Sequence, residues 1–271
     1  MLSESHKKRL ITGAILVALL LVGLFVGGWL LRILVTVAAV LGLWELYQMF
    51  WPGKIKILCK AVGYAAGALI CLGSGTWLGL TGGLAVICLA ALFAAMIFLY
   101  EYGKGNDRAS IQENLPLVFG LIYIPLTLQF ATNMQLAEQF LVILGAIASD
   151  IGAYYAGSNL GKHKIWPRVS PNKSWEGSIG AIVTNMVVIG IFGSFVSIAG
   201  LEQVSLWQWA LVGALLSVMA QLGDFFESAF KRAVGVKDSS SLLPGHGGVL
   251  DRLDSILFVL PTYMLLKYIL L

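Results

Sequence analysis

The sequence predicts an all-α, polytopic integral membrane protein with about nine transmembrane helices. Of its 271 residues, 58% are hydrophobic and only 12% are Asp, Glu, Lys or Arg, about half the charged fraction of a soluble protein. The mean hydropathy is +0.86. A soluble, disordered or nucleic-acid-binding chain of this length needs far more surface charge, so these classes are excluded and no nucleic-acid partner is expected.

The apolar residues fall into runs close to the roughly 20 residues that a helix needs to cross a bilayer. The runs lie at about 10–28, 31–50, 60–77, 82–100, 115–131, 137–157, 177–199, 205–223 and 251–271. No linker or soluble insertion separates them, which predicts a single membrane domain over 1–271. Residues 1–136 are predicted to be mainly transmembrane scaffold. Residues 137–271 are predicted to be the catalytic half, because polar residues concentrate in two inner loops at 158–176 and 224–250.

The basic residues are distributed unevenly between the two sides of this topology. If the N-terminus faces inward, all but Arg32 and Lys267 of the 18 Lys and Arg residues fall in inner segments. Cytoplasmic loops of membrane proteins carry such an excess of positive charge. The N-terminus and both polar loops are therefore predicted to face the cytoplasm.

Four segments of the chain carry carboxylates at or just inside the inner membrane boundary. These carboxylates are Asp150, Glu176, Asp224, Glu227, Asp251 and Asp254. A charge at a helix centre costs about 2.5–3.5 kcal/mol on insertion scales, and less near an interface. Each of these groups therefore needs a charged partner, a polar cavity or a metal ion.

The spacing of four carboxylates is compatible with a divalent cation site. Asp224 and Glu227 are three residues apart and share a helix face, and Asp251 and Asp254 do the same on another helix. Mg²⁺ binds hard oxygen ligands, usually one or two carboxylates with waters and substrate phosphates. Ion pairs with nearby Lys and Arg residues, or plain solvation at the interface, explain the same spacing, so these alternatives stay open.

Two polar segments are candidates for binding phosphate. A glycine-rich turn, Pro244-Gly245-His246-Gly247-Gly248, precedes the last predicted helix, and its backbone N–H groups can point at an anion. An ordinary loop is the alternative, and for His246 the choices are phosphate binding, proton transfer or a structural hydrogen bond. The segment 170–176 is a second candidate, and its alternative is the start of a helix with Ser174 as N-cap. The basic residues of both loops could equally hold anionic lipid headgroups.

The run SAFKRAVGVKDSSSLLPGHGGVLDRLD at 228–254 carries a specific pattern that resembles the signature of phosphatidate cytidylyltransferases, also called CDP-diacylglycerol synthases. The matching positions are Ser228, Lys231, Arg232, Lys237, Asp238, Pro244, Gly245, His246, Gly247, Gly248, Asp251, Arg252 and Asp254. Segments 150–162 and 170–177 also look like family segments, and the hydrophobic architecture extends the resemblance loosely to the whole chain. Ser240 stands where many members have Gly, and Ser174 where many have Thr.

The resemblance implies that CTP and phosphatidate react to give CDP-diacylglycerol and pyrophosphate. It implies Mg²⁺ as cofactor, alone or with a second metal ion, and Asp224 and Asp251 are the leading ligands because they lie on separate helices. Asp254, Glu227 and Asp150 are second choices as ligands or orienting groups. The implied catalytic set is Asp224, Asp251, Asp254, Lys231, Arg232 and His246. The implied substrate-binding set is Lys173, Ser228, Lys237, Asp238, Gly245, Gly247, Gly248 and Arg252.

Such a family member is expected in the inner membrane of a prokaryote with a cytoplasmic active site, and a homodimer is familiar for the family. Three other functions are weighed against this one. A transporter would bind its substrate near the bilayer midplane and often shows repeated halves, whereas these carboxylates gather on one side. A lipid-linked nucleotide enzyme of the polyprenol kinase type would use ATP in place of CTP. A non-catalytic scaffold leaves the charged loops unexplained.

Overall fold

The computed structural model describes residues 4–53, 55–76, 78–106, 109–196, 198, 201 and 203–270. These residues form α-helices joined by loops, of which 161–174 and 234–249 are the longest, with 3₁₀ turns at Ile111–Asn114 and Gln129–Asn133. The helices are α1 (Glu4–Val26), α2 (Gly28–Phe50), α3 (Ile57–Gly73), α4 (Gly79–Gly103), α5 (Leu115–Tyr123), α6 (Pro125–Leu128), α7 (Leu136–Leu160), α8 (Trp175–Phe195), α9 (Leu206–Ala233) and α10 (Leu250–Ile269). The predicted all-α class is confirmed.

The polytopic membrane architecture is confirmed, but the number of nine spans is not. Among the described residues, 7 helical segments are long and apolar enough to cross a membrane. One of them, Ile111–Asn133, joins α5 and α6 with the two 3₁₀ turns. The other two predicted spans differ: α3 is apolar but has only 17 residues, and α10 carries four charged side chains. Large apolar side chains line outer helix faces, as on α4, where Leu92, Met96 and Leu99 are 63%, 69% and 67% exposed.

The chain divides into two compact units. The first contains Met1–Asn133 and Asp238–Asp251, and the second contains Met134–Lys237 and Arg252–Leu271. The boundary after Asn133 lies close to the predicted division between the scaffold and the catalytic half. The segment 238–251, which carries much of the signature, groups with the first unit.

The first unit is packed around a buried tyrosine on α2. The Tyr47 hydroxyl donates to the carbonyl of Leu117 at 3.1 Å, and its ring fills space left by two glycines. A Cβ at Gly63 would lie 2.5 Å from the ring, and one at Gly120 would lie 2.8 Å from it. Small residues at helix contacts let membrane helices approach closely, which holds α2, α3 and α5 together here.

In the second unit, α8 packs against both α7 and α9. Asn185 on α8 is fully buried and donates from Nδ2 to the carbonyl of Gly213 on α9 at 3.0 Å. The hydroxyls of Ser149 on α7 and Ser217 on α9 lie 2.9 Å apart. Polar contacts of this kind satisfy buried groups between membrane helices and fix the register of α7, α8 and α9.

Candidate active site

A cavity of about 400 Å³ lies in the second unit, among α7, α8, α9 and the loop that precedes α8. Its polar lining includes Asp150, Ser158, Asn172, Lys173, Gln221 and Asp224. Asp150 comes from α7, Lys173 from the loop and Asp224 from α9. A predicted phosphate-binding lysine and a predicted metal-binding aspartate therefore meet at one cavity.

Lys173 is held at this cavity by contacts with α9. Its Nζ forms an ion pair with Oδ2 of Asp224 and lies 4.2 Å from the centroid of the Phe225 ring. Trp166, from the same loop, packs edge-on against Phe225 with ring centroids 4.8 Å apart. These contacts join the loop to α9, so the ammonium group of Lys173 stays beside the Asp224 carboxylate.

The loop is closed at its base by the start of α8. The Glu176 carboxylate accepts hydrogen bonds from the backbone N–H groups of Lys162 and His163 at 3.1 and 3.2 Å. Nδ1 of His163 lies 2.6 Å from Oε1 of the same carboxylate and donates to it. Ser174 accepts from the backbone N–H of Gly177 at 3.2 Å, which confirms the predicted N-cap. These hydrogen bonds fix both ends of the loop and therefore also the position of Lys173 within it.

Three aspartates on three different helices form a cluster in this unit. Asp254 on α10 interacts electrostatically with Asp150 on α7 and Asp224 on α9, and Asp150 interacts with Asp224. Cations face the same cluster: Lys173, Lys231 and Arg252. Sequence reasoning ranked Asp150 and Asp254 only as second choices, and the structure brings both of them together with Asp224.

The remaining predicted residues on α9 have defined contacts. Buried Glu227 pairs with Lys231 at 3.1 Å, one helical turn later, and the Ser228 hydroxyl donates to Asp224 Oδ1 at 3.4 Å. Arg232 is exposed and donates to the carbonyl of Val236 at 3.4 Å. Lys237 and Asp238 are exposed in the loop that follows. The ion-pair alternative therefore accounts for Glu227, while Asp224 is paired with Lys173 at the cavity.

The carboxylates at the cavity fit a magnesium site in which substrate phosphates supply some of the ligands. Asp150 and Asp224 both line the cavity. Within the ranges that the structure describes, no three His, Cys, Asp or Glu side chains are placed to hold a metal ion by themselves. Mg²⁺ commonly uses only one or two carboxylates and completes its octahedron with waters and substrate phosphates. Two carboxylates that line one cavity with a lysine beside them meet that requirement.

The glycine-rich signature turn belongs to the first unit. Gly245 and Gly247 have φ angles of 78° and 81°, in the left-handed region that favours glycine. Asp251 holds the turn: its Oδ2 accepts from the N–H groups of Gly248 and Ser239 at 2.8 and 3.0 Å, and it lies 2.9 Å from the Ser239 hydroxyl oxygen. The imidazole of His246 lies beside α1, where a Cβ at Gly13 would be 3.6 Å from Nε2. The metal-binding role of Asp251 and the chemical role of His246 stay predictions.

Sequence reasoning missed Glu45, a fully buried carboxylate on α2. It accepts hydrogen bonds from the hydroxyls of Ser239 and Ser240 and from the N–H groups of Val249 and Leu250. A signal was present, because Glu45 is the only acidic residue in the apolar run 31–50. An ionisable residue inside a membrane span is expensive and marks a functional position by default.

Comparisons with known proteins cover nearly the whole chain. The sequence pattern of the "Cytidylyltransferase family" matches residues 7–270. The chain is 34% identical over 271 residues to the phosphatidate cytidylyltransferase of Staphylococcus haemolyticus (strain JCSC1435), covering 96% of this chain and 98% of that protein. It is 35% identical over 269 residues to the protein of the same name from Staphylococcus epidermidis, and 34% identical over 267 residues to that of Staphylococcus aureus, with the same coverage.

Proposed function

The chain belongs to the cytidylyltransferase family, and from this premise we propose that it is a phosphatidate cytidylyltransferase. It is an integral membrane enzyme that transfers the cytidylyl group of CTP to phosphatidate in phospholipid biosynthesis. The products are CDP-diacylglycerol and pyrophosphate. The similarity extends over almost the full length of relatives with this name.

One observation of the structure supports this function most directly: aspartates and cations converge on one cavity in the second unit. Asp150 and Asp224 face Lys173 there, within electrostatic range of Asp254, Lys231 and Arg252. Both substrates are anions, so their approach is opposed by charge repulsion. A site that joins them needs cations, and it needs carboxylates to hold those cations in place.

The reaction is an in-line displacement at phosphorus. An oxygen of the phosphatidate phosphate attacks the α-phosphorus of CTP, a new P–O bond forms, and the bond from the α-phosphorus to the β-phosphate oxygen breaks. Pyrophosphate leaves with that electron pair. The attacking phosphate oxygen is already anionic, so the chain has no need of a strong general base. Lys173 neutralises charge at the cavity, and Asp224 orients its ammonium group.

Asp224 and Asp150 are the residues of the cavity that would hold Mg²⁺, with Asp254 next to them. A bound metal ion supplies charge neutralisation on the phosphates, and a second ion at the same cluster would add to it. Asp251 is proposed as a further ligand from the family signature.

The finer features of location and assembly follow the sequence predictions. The excess of Lys and Arg on one side supports a topology with the N-terminus and the active site facing the cytoplasm of a prokaryote. That side is the one on which CTP is available. We also propose a homodimer, as the family resemblance implies; chemical cross-linking in the native membrane would yield a species of twice the monomer mass.

The direct test uses purified protein in detergent with phosphatidate, Mg²⁺ and CTP labelled in its cytidine ring. Label is expected in the lipid phase, and EDTA should block its transfer. ATP labelled in its adenosine ring serves as the matched second nucleotide and should leave no label in lipid. A folded protein that leaves cytidine label in the aqueous phase would overturn the proposal, and phosphorylation of lipid by ATP would identify a kinase-type enzyme.

A further inference from the structure

We propose that Glu45 is a positioning residue for this reaction, and that it sets the shape of the signature loop 238–251 from within α2. The link between the loop and catalysis rests on the proposed function. The role of Glu45 in shaping the loop rests on contacts within the first unit. Both Glu45 and the loop lie in that unit. The carboxylate acts through the loop and touches no reacting atom.

Four hydrogen bonds join the Glu45 carboxylate to the two ends of the loop. At the beginning of the loop, the Ser240 hydroxyl donates to Oε1 at 2.7 Å and the Ser239 hydroxyl lies 3.0 Å from Oε2. At its end, the N–H of Val249 donates to Oε1 at 2.8 Å and the N–H of Leu250 donates to Oε2 at 2.7 Å. One side chain therefore ties together residues that are about ten positions apart in sequence, which closes the loop into a ring.

The chemistry of the donors requires a carboxylate at this position. Glu45 is 0% exposed, and its two oxygens accept from two hydroxyls and two backbone N–H groups. The N–H groups belong to Leu250, the first residue of α10, and to Val249 directly before it, at the helix end where the dipole favours a negative charge. Hydrogen bonds to a charged acceptor are roughly twice as strong as neutral ones. The hydrogen bonds from the loop therefore stabilise the buried carboxylate, and the same hydrogen bonds hold the loop in its conformation.

Ser239 connects Glu45 to a predicted catalytic residue. Its hydroxyl lies 3.0 Å from Oε2 of Glu45 and 2.9 Å from Oδ2 of Asp251. The N–H of Ser239 also donates to Asp251 at 3.0 Å. Displacement of Ser239 therefore changes the position of the Asp251 carboxylate, so Glu45 influences the signature without contacting a substrate.

The close fit of the loop against Glu45 also explains one signature glycine. A Cβ at Gly248 would lie 2.6 Å from both carboxylate oxygens of Glu45 and would overlap the Ser239 hydroxyl. Any larger residue would push the loop away from the carboxylate. Glycine is therefore required at this position because the Glu45 side chain and the Ser239 hydroxyl fill the space that a Cβ would need.

Glu45→Gln is the informative substitution because it keeps the shape of the side chain. The amide has one acceptor oxygen, and its NH₂ group would face N–H and O–H donors that need an acceptor. The backbone N–H of Val249 or of Leu250 would lose its partner, which is costly for a buried donor. We expect kcat/KM for CTP to fall about tenfold or more, while the KM for phosphatidate stays close to that of the wild type.

A readout independent of activity is hydrogen–deuterium exchange of peptides that cover 238–251. In Glu45→Gln, the amides of Val249 and Leu250 should exchange faster, and peptides from α3 should exchange as in the wild type. Glu101→Gln is the matched control: it neutralises a glutamate of the same unit that contacts Lys56 at 2.8 Å. The control should leave both the loop exchange and kcat/KM for CTP unchanged.

A double-mutant cycle separates a direct contact from general loosening of the protein. Ser240→Ala should slow the reaction in the wild type and have a smaller effect in Glu45→Gln, because its partner carboxylate is already gone. Wild-type loop exchange in Glu45→Gln, or fully additive effects, would overturn the inference. If the wild type itself lacks cytidylyl transfer, the proposed function fails, while the exchange data still decide the role of Glu45.

Discussion

The crossing of α9 and α10 is expected to control the rate of the reaction through Gly223. The backbone of α10 approaches α9 at this glycine, where the carbonyl oxygen of Asp254 occupies the place that a Cβ would take. A Cβ would also lie 3.1 Å from Cδ2 of Phe258. Asp224 is the next residue on α9, so this contact sets the separation of two carboxylates of the cluster. Gly223→Ala is therefore a local probe of their geometry.

The magnitude follows from the geometry of this contact. Restoring a normal separation of ~3.5–4 Å between the new Cβ and the Asp254 carbonyl moves the helices apart by about 1 Å. Overpacking of this kind lowers the free energy of unfolding by about 1–3 kcal/mol, and the better helix propensity of alanine offsets up to about 1 kcal/mol of that loss. The protein should therefore remain folded. A misplacement of about 1 Å at a reacting centre can lower a rate about 100-fold, which is the expected loss in kcat.

The assay compares kcat for transfer of cytidylyl label to lipid with the thermal unfolding midpoint in detergent. Gly103→Ala is the control, since a Cβ at this glycine, at the end of α4, would meet no atom within 4 Å. The control should match the wild type in both measurements. A Gly223→Ala protein that turns over at the wild-type rate would refute the view that this crossing positions the carboxylates.

Two further substitutions test the cavity itself. Asp224→Asn should lower kcat about 100-fold or more without unfolding the protein, because it removes a proposed metal ligand and the charge that pairs with Lys173. Label transfer to lipid measures kcat, and the thermal unfolding midpoint measures stability. Normal turnover would reject Asp224 both as metal ligand and as partner of Lys173. Glu176→Ala should raise the KM for CTP several-fold at nearly constant kcat, because the loop loses the acceptor of two backbone N–H groups. Steady-state kinetics at varied CTP check the second result, and an unchanged KM would show that Glu176 does not position the loop.

Much of the fold could be predicted because the membrane imposes a minimum length on its helices. The apolar runs located the helices, since every backbone polar group in lipid needs an internal partner. Composition alone could not foresee that α9 would continue to Ala233, beyond the predicted end near 223. The i,i+4 ion pair of Glu227 and Lys231 stabilises this extension of α9. The loop predicted at 224–250 is therefore shorter in the structure and covers 234–249.

The site was predictable where its residues are close in sequence, and it was not where they meet only in space. The spacing of the carboxylates singled out Asp224, and the family pattern located Lys173 and the glycine-rich turn. It gave no reason to join Asp150 or Asp254 to Asp224, because these contacts depend on how α7 and α10 pack against α9. Glu45 lies almost 200 residues from the loop that it holds, in a half predicted to be scaffold. Only the folded unit reveals that contact.

The central claim is that this chain transfers a cytidylyl group, and the fate of each phosphate of CTP tests it most directly. Parallel reactions with phosphatidate and Mg²⁺ would use CTP labelled either at the α-phosphate or at the γ-phosphate. Attack at the α-phosphorus predicts that α-label enters the lipid and that γ-label leaves entirely as pyrophosphate. The appearance of γ-label in the lipid would show phosphoryl transfer instead and would contradict the claim.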